Sequence, residues 1–124
     1  MFSINYGVSM KIKYAFCALL PLAVMSTAQA NMNEIAMVGA ALQYKEKCSS
    51  VDAKAEQHAK KAFSTAEKVG FTADSLSTNS SHLGSFNYGF GLAEGVFITY
   101  DSILKKPLSY SCEQLYVGLI GDVY

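Results

Sequence analysis

Cys48 and Cys112 are the residues in this chain whose type and spacing most directly suggest chemistry. The sequence has three cysteines, and the third, Cys17, lies inside an apolar N-terminal run. A metal pair or a reactive dithiol would want closer spacing, such as Cys-x-x-Cys, and that pattern does not occur. A disulfide between Cys48 and Cys112 is the expected pairing. Closing a loop of that size stabilises a fold by about 4 kcal/mol on the chain-entropy model.

The two histidines, His58 and His82, show neither His-x3-His nor His-x-x-Glu spacing, so no metal site is expected and both are read as solvated surface residues. Glu94 and Asp101 are seven residues apart and would share one side of a helix. Such a pair could serve as a general acid and base, or could mark the border between core and water, with Asp101 facing Lys105 one turn on. There is no Gly-x-Ser-x-Gly elbow, and Gly89-Phe-Gly91 lacks the third glycine of a phosphate loop. No catalytic residue and no cofactor is expected.

Tyrosines crowd the last third of the chain at positions 88, 100, 110, 116 and 124, and there is no tryptophan. Tyrosine offers contact area with a polar tip. Tyr88, Glu94, Tyr100 and Tyr110 are therefore candidates for a surface that binds another protein. The alternative is a core that uses Phe and Tyr for bulk.

Arginine is absent, which removes the planar fork suited to phosphate recognition, and the lysines are balanced by acids. That composition argues against a nucleic-acid partner, and none is expected.

The segment Met10 to Ala30 reads as a secretory signal peptide: Lys11 and Lys13, then an apolar run, then Ala28 and Ala30 as the small exit residues. Met10 is the expected true start, with cleavage after Ala30, giving residues 1–30 as leader and 31–124 as a single helical domain. Loss of Lys11 and Lys13 leaves eight lysines against ten acidic residues. A periplasmic or secreted location follows, and it would permit the disulfide.

These residues need elements to position them. Residues 33–48 place Ile35, Val38, Ala41 and Leu42 at helical spacing behind a capping Asn33. A second helix runs to Val69 from a capping box at Ser49 and Asp52, with an inward stripe of Ala55, Ala59, Ala62, Phe63 and Ala66. Glu56 and Lys60 pair on its outer side, and Gly70 ends it. Residues 72–82 read as a surface loop.

Leu83 to Leu104 fits a helical face of Leu83, Phe86, Phe90, Ala93, Phe97, Tyr100 and Leu104, against a weaker strand-like alternation. Gly91 and Gly95 are four apart and would open a groove for close helix packing. A last helix from a capping box at Ser111 and Gln114 to about Val123 is apolar on nearly every side, which predicts the central, most buried element.

The expected fold is all-α, a small bundle of about four helices with one disulfide. The expected function is that of a non-enzymatic binding protein that holds or blocks a macromolecular partner. In size, export and disulfide the chain is similar to small periplasmic immunity proteins, inhibitors and acid-stress chaperones, a likeness that carries no functional residue across. The alternatives are a small lipid-handling or hydrolytic protein working at Gly91, Gly95 and Glu94, and a membrane-associated hairpin of residues 83–104. Two carboxylates at membrane depth argue against that hairpin.

Overall fold

The computed structural model describes residues 33–121; the expected leader and the expected end of the last helix at about Val123 lie outside them. The chain forms α1 (Glu34–Cys48), α2 (Ala55–Glu67), α3 (Ser75–Thr78), α4 (Ser80–Phe97) and α5 (Leu108–Leu115). A π-helical turn extends α4 over Ile98–Ile103, and a second extends α5 over Tyr116–Ile120. There are thus five α-helical segments rather than four, with no strand among the described residues.

The central element is α1, not the last helix. Residues 35–41 are all buried, and seven consecutive positions cover two full turns, so neighbours surround this helix on every side. Its start is fixed by Asn33, whose side-chain oxygen accepts from the Ala36 N–H at 2.9 Å and whose amide donates to Ser85 on α4 at 3.1 Å. Alanines and a glycine make this burial possible. A Cβ added to Gly89 would fall 1.7 Å from the Ala36 carbonyl oxygen, and one added to Gly39 would fall 2.1 Å from that of Phe86. The backbones of α1 and α4 therefore touch directly at Gly39 and Gly89. The expected groove at Gly91 and Gly95 is not the packing site, because a Cβ there would meet nothing within 4 Å.

The α2 stripe is as expected: Ala55, Ala59, Ala62 and Ala66 are buried, and Glu56 meets Lys60 at 3.5 Å on the exposed side. Its start differs. The helix begins at Ala55, and Asp52 is engaged elsewhere, as described below. At the other end Gly70 takes φ 97°; its N–H reaches the Glu67 carbonyl and that of Phe71 reaches Ala66, the paired bonds of a Schellman motif. Phe71 folds back, buried, with its ring 5.6 Å from Phe63.

The expected loop is shorter than 72–82. Ser75 accepts from the Thr72 N–H at 2.8 Å, α3 makes one turn, and Asn79 caps α4 by accepting from the N–H groups of Ser81 and His82. Along α4 and its π turn, Ala93, Phe97 and Tyr100 are buried and Phe86, Phe90 and Leu104 half-buried, while Leu83 is exposed.

The last helix starts at Leu108, directly after Pro107, rather than at Ser111. Ser111 is wholly buried and donates to Asp101 on the π turn of α4, so Asp101 serves this bond instead of facing Lys105. Leu115, Leu119 and Ile120 are fully buried, but Val117 is 61% exposed, so the helix, apolar as it is, is not enclosed on every side. The Cys48–Cys112 disulfide, with Cα atoms 5.9 Å apart, ties the end of α1 to α5.

Candidate functional site

Above the disulfide lies a cleft of about 320 Å³ lined by Tyr44, Val51, Asp52, Lys54, His58, Ser109, Cys112, Glu113 and Tyr116. Its construction begins at the end of α1. The Cys48 carbonyl accepts from the N–H groups of Val51 and Asp52, which reverses the chain and returns Asp52 toward the last turn of α1. There Tyr44 donates its hydroxyl to Asp52 Oδ2 at 2.6 Å. Asp52 Oδ1 accepts from the Lys54 N–H at 2.8 Å, and the Asp52 carbonyl from Ala55. One carboxylate thus closes the α1–α2 connection and leads into α2.

The first turn of α2 then brings His58 to the same group, with Nε2 3.4 Å from Asp52 Oδ2. From the other wall, the π turn of α5 contributes Tyr116. Its ring centroid is 5.3 Å from His58 and 6.2 Å from Tyr44, and Tyr44 lies 6.0 Å from His58. Three rings therefore meet over one carboxylate.

The electrostatics follow from these contacts. The Tyr44 hydroxyl holds the Asp52 carboxyl below its ordinary value, because a donated hydrogen bond favours the ionised form. The Tyr44 hydroxyl is pushed well above its own ordinary value, first by burial and then by the bond to Asp52. Between them they keep Asp52 charged and Tyr44 neutral across the physiological range.

The residues expected to form a partner surface, Tyr88, Glu94, Tyr100 and Tyr110, do not share one exposed face. Tyr88, 48% exposed, and Glu94 stand on the solvent side of α4. Tyr100 is only 2% exposed and packs edge-on against half-buried Tyr110 at 5.1 Å, with Lys106 over the Tyr110 ring. Burial, then the nearby Tyr110, raises the Tyr100 hydroxyl above its ordinary value. At Gly91 and Gly95, on either side of Glu94, an added Cβ would meet nothing within 4 Å. A groove of about 430 Å³ lies instead between α1 and α2, lined by Leu42, Lys45, Glu56, Ala59, Lys60, Phe63 and Ser64. His58, expected on the surface, is a member of the ring cluster.

The cluster had a signal in the sequence. Tyr44 lies four residues before Cys48 and Tyr116 four residues after Cys112, so each ring sits one helical turn from its cysteine. Joining the sulfurs brings the two tyrosines together. Asp52 and His58 carry no such spacing.

Among the described residues, no group of three His, Cys, Asp or Glu side chains is placed to hold a metal ion, and no helix is long and apolar enough to cross a membrane. No protein family model, curated protein or solved structure matches this chain.

Proposed function

We propose that this chain is an exported, non-enzymatic binding protein that holds or blocks another protein, and that the cleft over the disulfide is the part that engages it. The observation that carries this reading is the interlocking of the ring cluster with one carboxylate and the disulfide. Tyr44, Asp52 and His58 hold one another on one side, the disulfide fixes the other, and Tyr116 stands at the rim, 38% exposed. Interfaces draw most of their energy from a few pre-ordered aromatic residues that lose little freedom on binding. Export rests on the sequence between Met10 and Ala30, and the disulfide suits the oxidising periplasm.

The test is capture from periplasmic extract with tagged residues 31–124, alongside the Tyr116→Ala variant. A protein retained by the parent and lost at least tenfold by the variant supports the reading; equal recovery by both, or none by either, refutes it.

A specific feature favours a second reading. His58 is held by Asp52, and Ser109 lines the same cleft, the residue types of a hydrolase that uses an activated serine. Hydrolysis of simple esters that His58→Ala and Ser109→Ala both abolish would replace the binding role with this one.

A further inference from the structure

We propose that the cleft over the disulfide is a site for an organic ammonium group. This deepens the binding role proposed above by naming the chemistry that the cleft accepts. Two kinds of group recognise such a cation: the faces of aromatic rings, and carboxylates. The cleft supplies both, from three separate parts of the chain.

Tyr116 offers the most open ring, with His58 and Tyr44 packed behind it at 5.3 and 6.2 Å. Asp52 comes from the α1–α2 connection and Glu113 from α5, so carboxylates reach the same space from two walls. A carboxylate has about four lone-pair positions. Tyr44 and His58 approach Oδ2 of Asp52, and one backbone N–H takes Oδ1, which leaves Asp52 able to accept from a further donor. Glu113 is exposed and can swing over an occupant.

Lys54 also lines the cleft. It is exposed, and its flexible stem lets the ammonium move into solvent, yet its charge opposes a second cation. That gives the proposal a distinctive sign: removing Lys54 should improve binding, whereas removing Glu113 should weaken it. Anion recognition would show the reverse.

The probes are Nα-acetyl-lysine-N-methylamide, the free diamine cadaverine, and the uncharged Nα-acetyl-norleucine-N-methylamide, titrated into residues 31–124 with the disulfide formed. Ring-proton shifts of Tyr116 and His58 are followed by NMR. The expected result is saturable binding of the lysine derivative, at least tenfold tighter than the norleucine derivative. Glu113→Gln should weaken it about threefold, Tyr116→Ala at least tenfold, and Lys54→Ala should strengthen it about threefold. Tyr88→Ala, on the solvent side of α4, should change nothing.

Tighter binding of the lysine derivative than of cadaverine assigns the ammonium to a protein partner; the opposite order assigns it to a free amine, and either supports the site. Equal binding of the lysine and norleucine derivatives, or weaker binding in Lys54→Ala than in Glu113→Gln, overturns it. Capture of a partner that depends on Tyr116, without any lysine-derivative binding, would leave the binding role standing and remove only the ammonium.

Discussion

Replacing Gly89 by alanine places a methyl group 1.7 Å from the Ala36 carbonyl oxygen. Ordinary contact begins near 3.4 Å, so α1 and α4 must part by roughly 1.7 Å, well beyond the gap of about 0.5–1 Å that already forfeits a quarter to a half of the contact energy. The obstacle is backbone on a helix buried all round, so no side chain can rotate out of the way. Alanine favours a helix over glycine by about 1 kcal/mol, but overpacking a core typically costs about 1–3 kcal/mol, and this contact lies at the severe end. The net expectation is a loss of about 2 kcal/mol or more. In a domain of this size that is a fall in Tm of roughly 8–16 °C. Gly91→Ala and Gly95→Ala lie on the same helix with open space around the added atom, so they should stabilise by up to about 1 kcal/mol each. Urea denaturation followed by far-UV circular dichroism measures all three. A neutral or stabilising Gly89→Ala, or a destabilising Gly91→Ala, would refute the assignment of the crossing point.

Replacing both Cys48 and Cys112 by serine should lower stability by about 4 kcal/mol through the lost loop closure, read as a reduced denaturation midpoint. The Tyr44–Asp52 pair predicts two limbs of pH dependence. Asp52 is lowered in the fold, so its contribution is present above the unfolded carboxyl value of 3.8 and is lost as pH falls below it. Tyr44 is raised, so its contribution is present below its unfolded value of 10.0 and is lost as pH rises beyond that. Tyr44→Phe should flatten both limbs in a denaturation series from pH 2 to pH 11, and unchanged slopes would show that the pair does not couple to folding.

The helical class and the disulfide were legible because both rest on local signals: the alanine stripe of α2, the Gly70 stop, and two cysteines without a nearer partner. The phase of α4 was also legible, since Phe86, Phe90, Ala93, Phe97 and Tyr100 share one side. What local signals could not show was which helix is enclosed. The last helix carries more large apolar residues, but α1 carries small ones, and smallness lets neighbours close over a helix from every direction. The same reasoning misplaced the glycine contact, since Gly91-x3-Gly95 looks like a packing motif, while the real crossing joins single glycines on two helices. Ser111 resembled a cap in sequence, yet Pro107 starts the helix earlier and leaves Ser111 facing Asp101. The cleft was half visible, in the tyrosines one turn from each cysteine; the returning connection that carries Asp52 to Tyr44 had no pattern to announce it.

Enclosure of α1 leaves Ile-Ala-Met-Val-Gly-Ala-Ala, residues 35–41, with no side on which substitution is free. Drift in descendants of this chain should gather on the outer faces of α2 and α4, while that heptapeptide stays nearly fixed. Distant kin would then be recognised by a short run of mostly small residues in α1, even where the tyrosines and lysines have been replaced.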